Sequence, residues 1–411
     1  MRLLHTSDLH LGQVLYSKSR LDESEKFLSW LIELIRKESI DVLLISGDIF
    51  DTTSPSNRAL GQFFDFLDKV CRTTDCSGVV VTGGNHDSPS LLRAPENVLR
   101  SIGVHMVSTA CADPADEALL LNKKDGTPLC IVGAVPFLRD RDVRLSKAGE
   151  STSEKEAALL AGVRRHYAAV TEKALALQSE NPGIPMVLMG HLFAQGGEIH
   201  EGEGVRELYI GDLCRVNSDV FDPAFAYVAL GHLHRPQRIK GCTEIRYSGS
   251  PCPMSFSEAK LSKSVLIAEF DRENLKEVRP VTVPSFLQLV SIEGEFEDIR
   301  KKLLELAACD STAWVDIYHT GSKIYPSLQD KLLEGIEKPK FTILRVRDAA
   351  KRAATLRSQH HGESLDDLTP EQVFERRLEK ADIGRDSEDY TILRNLFREV
   401  LHMYARPEDA E

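Results

Sequence analysis

Short apolar runs recur through the first 270 residues, separated by amphipathic stretches. Arg2–Thr6, Val42–Ser46, 79–81 and Val104–Val107 are expected strands, and of these 42–45 and 79–81 are unbroken apolar runs, as strands buried on both faces are. Between them, residues 22–38 set Phe27, Leu31, Leu34 and Ile35 on one helical face. A second helix is expected through Leu60, Phe63, Phe64 and Leu67, and a third over 91–100. Further strands fall at 129–137, 186–189, 227–230, 244–247 and 265–270, with an alanine-rich helix over 154–180. Strands alternating with helices predict an α/β fold built on a sheet covered on both faces. The stretch 195–204, with four glycines, is expected to form a mobile or substrate-facing loop.

The pattern changes near 280–284. Beyond it, strands at 286–292, 314–318 and 341–346 alternate with helices ending near Ala308 and Gly335, a compact αβ unit without clustered ligands. Residues 340–357 carry six basic side chains against one acidic, and 360–367 read as a linker. Two helices close the chain. One follows Pro370 with Val373, Phe374 and Leu378 on a face, and the other aligns Leu393, Leu396, Phe397, Val400, Leu401 and Tyr404. Three regions are therefore expected: 1–280, an accessory unit over 281–348, and a linker with C-terminal helices over 349–411.

Composition alters this picture little. With 42% hydrophobic and 28% charged residues, the 411-residue chain has an ordinary globular make-up. No apolar run approaches the roughly 18 residues of a membrane span. The N-terminus turns polar after Leu3 and Leu4, and the eight cysteines form no Cys-x-x-Cys pair. Reduced thiols and a cytoplasmic location are the expectation. The net charge of −12 excludes a globally basic duplex binder, so any polyanionic substrate must be held by metal ions, local basic patches or a partner.

The chemistry lies where apolar runs end. Thr6-Ser7-Asp8-Leu9-His10, Gly47-Asp48-Ile49-Phe50-Asp51, Gly83-Gly84-Asn85-His86-Asp87, Gly190-His191 and Gly231-His232-Leu233-His234 each place metal-capable side chains just past a strand. Taken singly, Gly-Asp marks a turn, Gly-Asn-His-Asp an Asx-turn and Gly-His a buried histidine. Together, at the carboxyl ends of strands in one domain, they predict a site. On extended backbone, residues two apart point the same way, so Asp8 with His10 and His232 with His234 form ligand pairs. Asp8, His10, Asp48, Asn85, His191, His232 and His234 are too many ligands for one ion and suit two ions sharing a carboxylate. A set of oxygen and nitrogen without sulfur favours Mn²⁺, Fe²⁺ or Zn²⁺ over Mg²⁺.

This series resembles the calcineurin-type metallophosphoesterase family. His5 through Gln13, Tyr16-Ser17-Lys18-Ser19-Arg20, Pro136-Phe137-Leu138-Arg139, Tyr247-Ser248-Gly249-Ser250-Pro251 and Gln372 through Leu378 narrow the likeness to its bacterial DNA-nuclease branch. The resemblance implies an α/β, calcineurin-like β-sandwich flanked by helices, with a small α+β capping domain and C-terminal helices. It implies that Asp8, His10 and His234 hold one ion, and Asn85, His191 and His232 the other. Asp48 would bridge, and both ions would be Mn²⁺. His86 is implied as general acid, with Asp87 orienting its ring. Asp51 stands where archaeal and eukaryotic relatives carry histidine, so it is read as a turn or supporting residue.

The implied activity is 3′-to-5′ cleavage of double-stranded DNA and opening of hairpins. Its implied partner is a coiled-coil ATPase docked on the C-terminal helices, around a homodimer. Hydrolysis of small phosphomonoesters, phosphodiesters or nucleotides is the alternative, and a scaffold that has lost its site is a third. Lys18, Arg20, Arg139, Arg141 and Arg144 are the candidates for phosphate contacts, against a merely solubilising role.

Overall fold

The computed structural model describes residues 1–145, 149–194, 216–239 and 242–351, with 373–375, 377–378, 390, 393–394 and 396–397. The loop expected over 195–204 therefore lies outside the described residues.

Two six-stranded sheets stack face to face. The first runs, in spatial order, Asn274–Thr282, Ser264–Asp271, Arg2–Thr6, Val42–Ser46, Gly78–Thr82 and Val104–Val107. The second runs Gln237–Arg238, Ile245–Tyr247, Tyr227–Gly231, Met186–His191, Pro128–Ala134 and Ala118–Asn122. Each has a parallel centre and antiparallel additions at its margins. Leu3, Val42, Leu44 and Val80 meet Val132, Val187, Met189 and Tyr227 between the sheets. Burial on both faces is why 42–45, 79–81 and 186–189 read as unbroken apolar runs.

Helices cover the outer faces. Leu21–Lys37 and Asn57–Thr73 bury Phe27, Leu31, Phe63 and Leu67 on the first sheet. Thr152–Glu180, started by a Ser151–Glu154 capping box, buries Val163, Tyr167 and Val170 on the second. The expected sandwich with helical flanks is the observed architecture. The helix expected over 91–100 is instead two, Pro89–Arg93 and Glu96–Ser101, because Pro95 disfavours continuing the first. The strands Ala118–Asn122 and Asn274–Thr282 were not expected. Both lie at sheet edges, where Pro280 is tolerated.

A separate three-stranded parallel sheet, Leu289–Gly294, Trp314–His319 and Thr342–Asp348, packs Phe296–Ala308 and Leu328–Leu333 around Ile292, Ile299, Leu303, Val315 and Ile317. Its basic strand is partly spent internally: Arg345 and Arg347 converge on buried Asp316 at 2.8 and 2.9 Å. Arg345 also lies 4.6 Å over the Tyr16 ring, tying this unit to the sandwich. The described cysteines are all free thiols. Among the described residues, no helix is long and apolar enough to cross a membrane.

Candidate metal centre

The carboxyl ends of the parallel strands from both sheets meet at one place. Thr6 pairs with Ile45 and Ser46 with Thr82, so the segments after three strands of the first sheet leave at one level. Gly231 pairs with His191 in the second sheet. The sheets are joined at that level by hydrogen bonds. Ser46 Oγ donates to the Ala229 carbonyl at 3.0 Å, and His191 Nδ1 lies 2.9 Å from the Ser46 carbonyl.

Glycine makes this approach possible: a Cβ on Gly231 would stand 1.8 Å from the Ser46 carbonyl oxygen. Asp8, His10, Asp48 and His232, four of the residues that point inward, adopt positive φ (52°, 43°, 49° and 103°). Backbone bonds from Asp8 to Gly47, His10 to Asp48 and Leu11 to Ile49 hold the two turns together.

All seven expected ligands are brought together. Asp8, His10 and His234 form one group and Asp48, His191 and His232 another, with one ligand atom per residue within 4.8 Å of the others in its group. Asn85 Oδ1 completes the second, 3.0 Å from His191 Nε2 and 3.2 Å from His232 Nδ1. Asp48 lies between the groups, with Oδ2 3.3 Å from His191 Nε2 and 3.8 Å from His10 Nε2.

The donor set fits divalent cations. His10 and His234 face each other through Nε2 at 3.2 Å, while their Nδ1 atoms face the carboxylates of Asp51 at 3.3 Å and Glu258 at 3.7 Å. With the ring protons on Nδ1, on the side of those carboxylates, two Nε2 lone pairs would confront one another in a buried space. A cation between them resolves that conflict.

The electrostatics agree. Burial pushes His232 down to about 3, assisted by neighbouring His191, so its ring is neutral and free to ligate. Burial also acts against charging His191, but the Asp48 carboxylate prevails and raises it to about 9. Burial alone would raise Asp48; His191, His10 and His86 instead hold it well below the usual carboxylate range. The centre is thus built to accept positive charge.

His86 stands half-buried at the edge of this cluster, its ring 4.9 Å from that of His10. The expectation that Asp87 orients the His86 ring is corrected. His86 Nδ1 lies 2.9 Å from the Asp51 carbonyl. The Asp87 carboxylate is instead consumed by the backbone N–H groups of Gly84, Ile49 and Phe50, at 2.8, 3.1 and 3.0 Å. It clamps the turn carrying Asp48 to the turn carrying Asn85 and His86. Asp51 does support the site, through its carbonyl on His86 and its carboxylate on His10.

Two phosphate candidates are also corrected. Arg20 is buried, held by Glu23 at 2.6 Å and by the Pro253 carbonyl at 2.6 Å. Arg144 is buried between Asp140 at 2.5 Å and Glu150 at 2.7 Å. Lys18 and Arg141 are exposed, and Arg139 donates to the Asp87 carbonyl at 3.3 Å while lying 5.8 Å over Phe137. Arg139 is the candidate that reaches the rim of the centre.

The sequence reading missed Glu258 and Lys263, which are buried beneath His234 and paired at 2.5 Å. Standing among serines and other charged residues over 255–263, they look like ordinary surface charges, and no local signal marks them.

Comparison with known proteins accords with this geometry. A family model described as calcineurin-like phosphoesterase matches residues 1–236. One described as type 5 capsule protein repressor C-terminal domain matches residues 285–382. The chain is 34% identical to SbcD of the SbcCD nuclease from Escherichia coli strain K12 over 412 residues, covering 100% of both chains. It is 38% identical to the SbcD of Rhodobacter capsulatus over 274 residues, and 33% identical to that of Bacillus subtilis over 272, each covering 66% of both chains. A solved dimetal phosphatase from Danio rerio aligns at 14% identity with a TM-score of 0.39, over 69% of this chain and 99% of that one, too slight a likeness to argue from.

Proposed function

The chain belongs to the calcineurin-like phosphoesterases, in the family of the SbcD nucleases, and we propose on that basis that it is a two-metal DNA nuclease. Its substrates are double-stranded ends, degraded 3′ to 5′, and hairpin or single-stranded segments opened endonucleolytically. It acts with an SbcC-type ATPase in DNA repair and recombination. The observation that carries this reading is the position of Asp48, within 4 Å of histidines from two separate ligand groups.

Asp8, His10 and His234 would hold one divalent ion, and Asn85, His191 and His232 the other, with Asp48 available to both. Mn²⁺ suits this mixed set. When bound, such a pair activates water near neutral pH and offsets the charge that develops on a phosphodiester. The remaining work falls to side chains. Nδ1–H of His86 donates to the Asp51 carbonyl, so only the imidazolium form has a second proton, on Nε2, to deliver to the departing 3′ oxygen, leaving the neutral Nδ1–H ring behind. Asp87 fixes the turns that present Asp48 and His86. Arg139 meets the DNA backbone at the rim.

We assign residues 1–280 to the nuclease domain, although its last strand ends at Thr282, and 281–348 to the capping domain. We assign residues 349–411 to a linker and helices that dock on SbcC; the expected linker over 360–367, with Val400, Leu401 and Tyr404, lies outside the described residues. Phe374 and Phe397 stack at 4.0 Å and Leu378 is buried, so the two helices cover part of their own apolar surface. Val373, Leu393 and Leu396 stay 37%, 36% and 53% exposed, a stripe that supports docking on a coiled coil. A homodimer within a heterotetramer, cytoplasmic and nucleoid-associated, is the assembly we expect.

Incubation with Mn²⁺ and ATP, with and without the ATPase, on blunt duplex, hairpin DNA and a chromogenic phosphodiester tests this function. Cleavage of both DNA substrates, enhanced by the ATPase, is expected. Turnover of the chromogenic ester alone would move the protein to the small-phosphoester reading that its net charge of −12 favours.

A further inference from the structure

The two ligand groups are not backed alike. In the group of Asp8, His10 and His234, the non-ligating nitrogens of both histidines face carboxylates. His10 Nδ1 lies 3.3 Å from Asp51 Oδ1, and His234 Nδ1 lies 3.7 Å from Glu258 Oε1. His234 Nδ1 and Glu258 Oε1 are both buried, and among the described residues neither has a hydrogen-bond partner at normal length. Closing their gap takes roughly 1 Å. In the other group, His191 Nδ1 rests on a neutral carbonyl, Asn85 is an uncharged amide, and His232 turns Nδ1 toward Asn85 itself.

Glu258 is built into its place. It is 1% exposed, at the end of the short 3₁₀ turn Phe256–Glu258. Its Oε2 accepts from the Met254 N–H at 3.0 Å and from Lys263 Nζ at 2.5 Å. Lys263, itself 4% exposed, also donates to the His234 carbonyl and to Ser250 Oγ, both at 2.9 Å. One ion pair therefore holds His234 by its backbone and offers a carboxylate to its ring. With Oε2 saturated by two donors, Oε1 is left for Nδ1. A carboxylate behind a ligating imidazole fixes the ring and raises its basicity, and losing it typically costs about 10–100-fold in metal affinity.

We infer that Glu258 is the positioning residue for His234, and that with Asp51 behind His10 it makes the Asp8–His10–His234 site the tight one, loaded before the Asn85–His191–His232 site. This rests on the two-metal reading above. The charges point the same way, since Asp8 belongs to the first group alone and Asn85 is its uncharged counterpart in the second.

Calorimetric titration of the full-length, metal-stripped chain with Mn²⁺, followed in parallel by Mn²⁺ electron paramagnetic resonance, tests this. The parent is expected to bind two ions with the first at least ~10-fold tighter. In Glu258→Gln, Met254 N–H and Lys263 retain the amide oxygen, so the amide NH₂ confronts the His234 Nδ1–H. The first step should weaken roughly 10–100-fold while the second moves less than about threefold. Asp51→Asn, altering a side chain 29% exposed and so less exposed to folding defects, should weaken the same step. Two bound ions with the tight step unchanged in both variants, or with both steps weakened equally, would overturn the inference and leave the two-metal reading intact. A parent chain that binds fewer than two ions would refute the reading on which it rests.

Discussion

Replacing Asp87 tests most directly how the centre is held. Its carboxylate is 1% exposed and accepts three backbone N–H groups, from Gly84, Ile49 and Phe50. Asp87→Ala leaves those three amides unpaired in a buried place, at about 1–3 kcal/mol each. Against this, the variant no longer buries a carboxylate near Asp48, which recovers a few kcal/mol. The balance is a local destabilisation of roughly 2–5 kcal/mol. In Asp87→Asn the amide oxygen can stay on Gly84 and Ile49, leaving only the Phe50 N–H opposed by another donor, a loss of about 1–2 kcal/mol. Hydrogen–deuterium exchange on peptides covering 47–51 and 83–87 reads this without requiring two-state unfolding of a multi-unit chain. Exchange should accelerate more than tenfold in the alanine variant and about tenfold in the asparagine variant, since about 1.4 kcal/mol is a factor of ten. Unchanged protection at both segments would refute the clamp. If Asp87→Asn slowed cleavage with protection intact, the expected role in orienting His86 would be restored.

Three further outcomes follow from the same geometry. Asp48→Asn should lower cleavage at least ~100-fold and weaken Mn²⁺ binding in both steps of a titration; normal cleavage with both ions bound would remove the bridging role. Gly231→Ala puts a Cβ 1.8 Å from the Ser46 carbonyl and 2.8 Å from His191 Nδ1, so it should destabilise the sandwich by about 3 kcal/mol or more in urea and impair metal binding. A variant as stable as its parent would show that the sheets need not approach so closely. Arg139→Ala should weaken duplex binding and flatten its salt dependence, whereas Arg144→Ala should alter unfolding and leave DNA affinity unchanged; the reverse pattern would refute their assignment.

The sequence alone was enough to place the central strands and to single out the candidate ligands. Strands buried on both faces are mostly apolar, so the runs at 42–45 and 186–189 announce themselves, and the polar side chains that follow such runs stand out. All seven expected ligands were legible for that reason, and they converge. The edge strand Asn274–Thr282 escaped because Lys276, Glu277, Arg279 and Pro280 interrupt its apolar positions. What only the tertiary structure decided is the partner of each side chain. Asp87 looked like a ring-orienting carboxylate by adjacency to His86, yet its oxygens find three amides on neighbouring turns. Arg20 and Arg144 looked like free cations and are locked in buried pairs. Glu258, 24 residues beyond His234, lies behind its ring through a contact that no spacing rule predicts. Burial pattern is a property of the local chain; hydrogen-bond partnership in a buried site depends on which segments the fold brings within about 3 Å of one another.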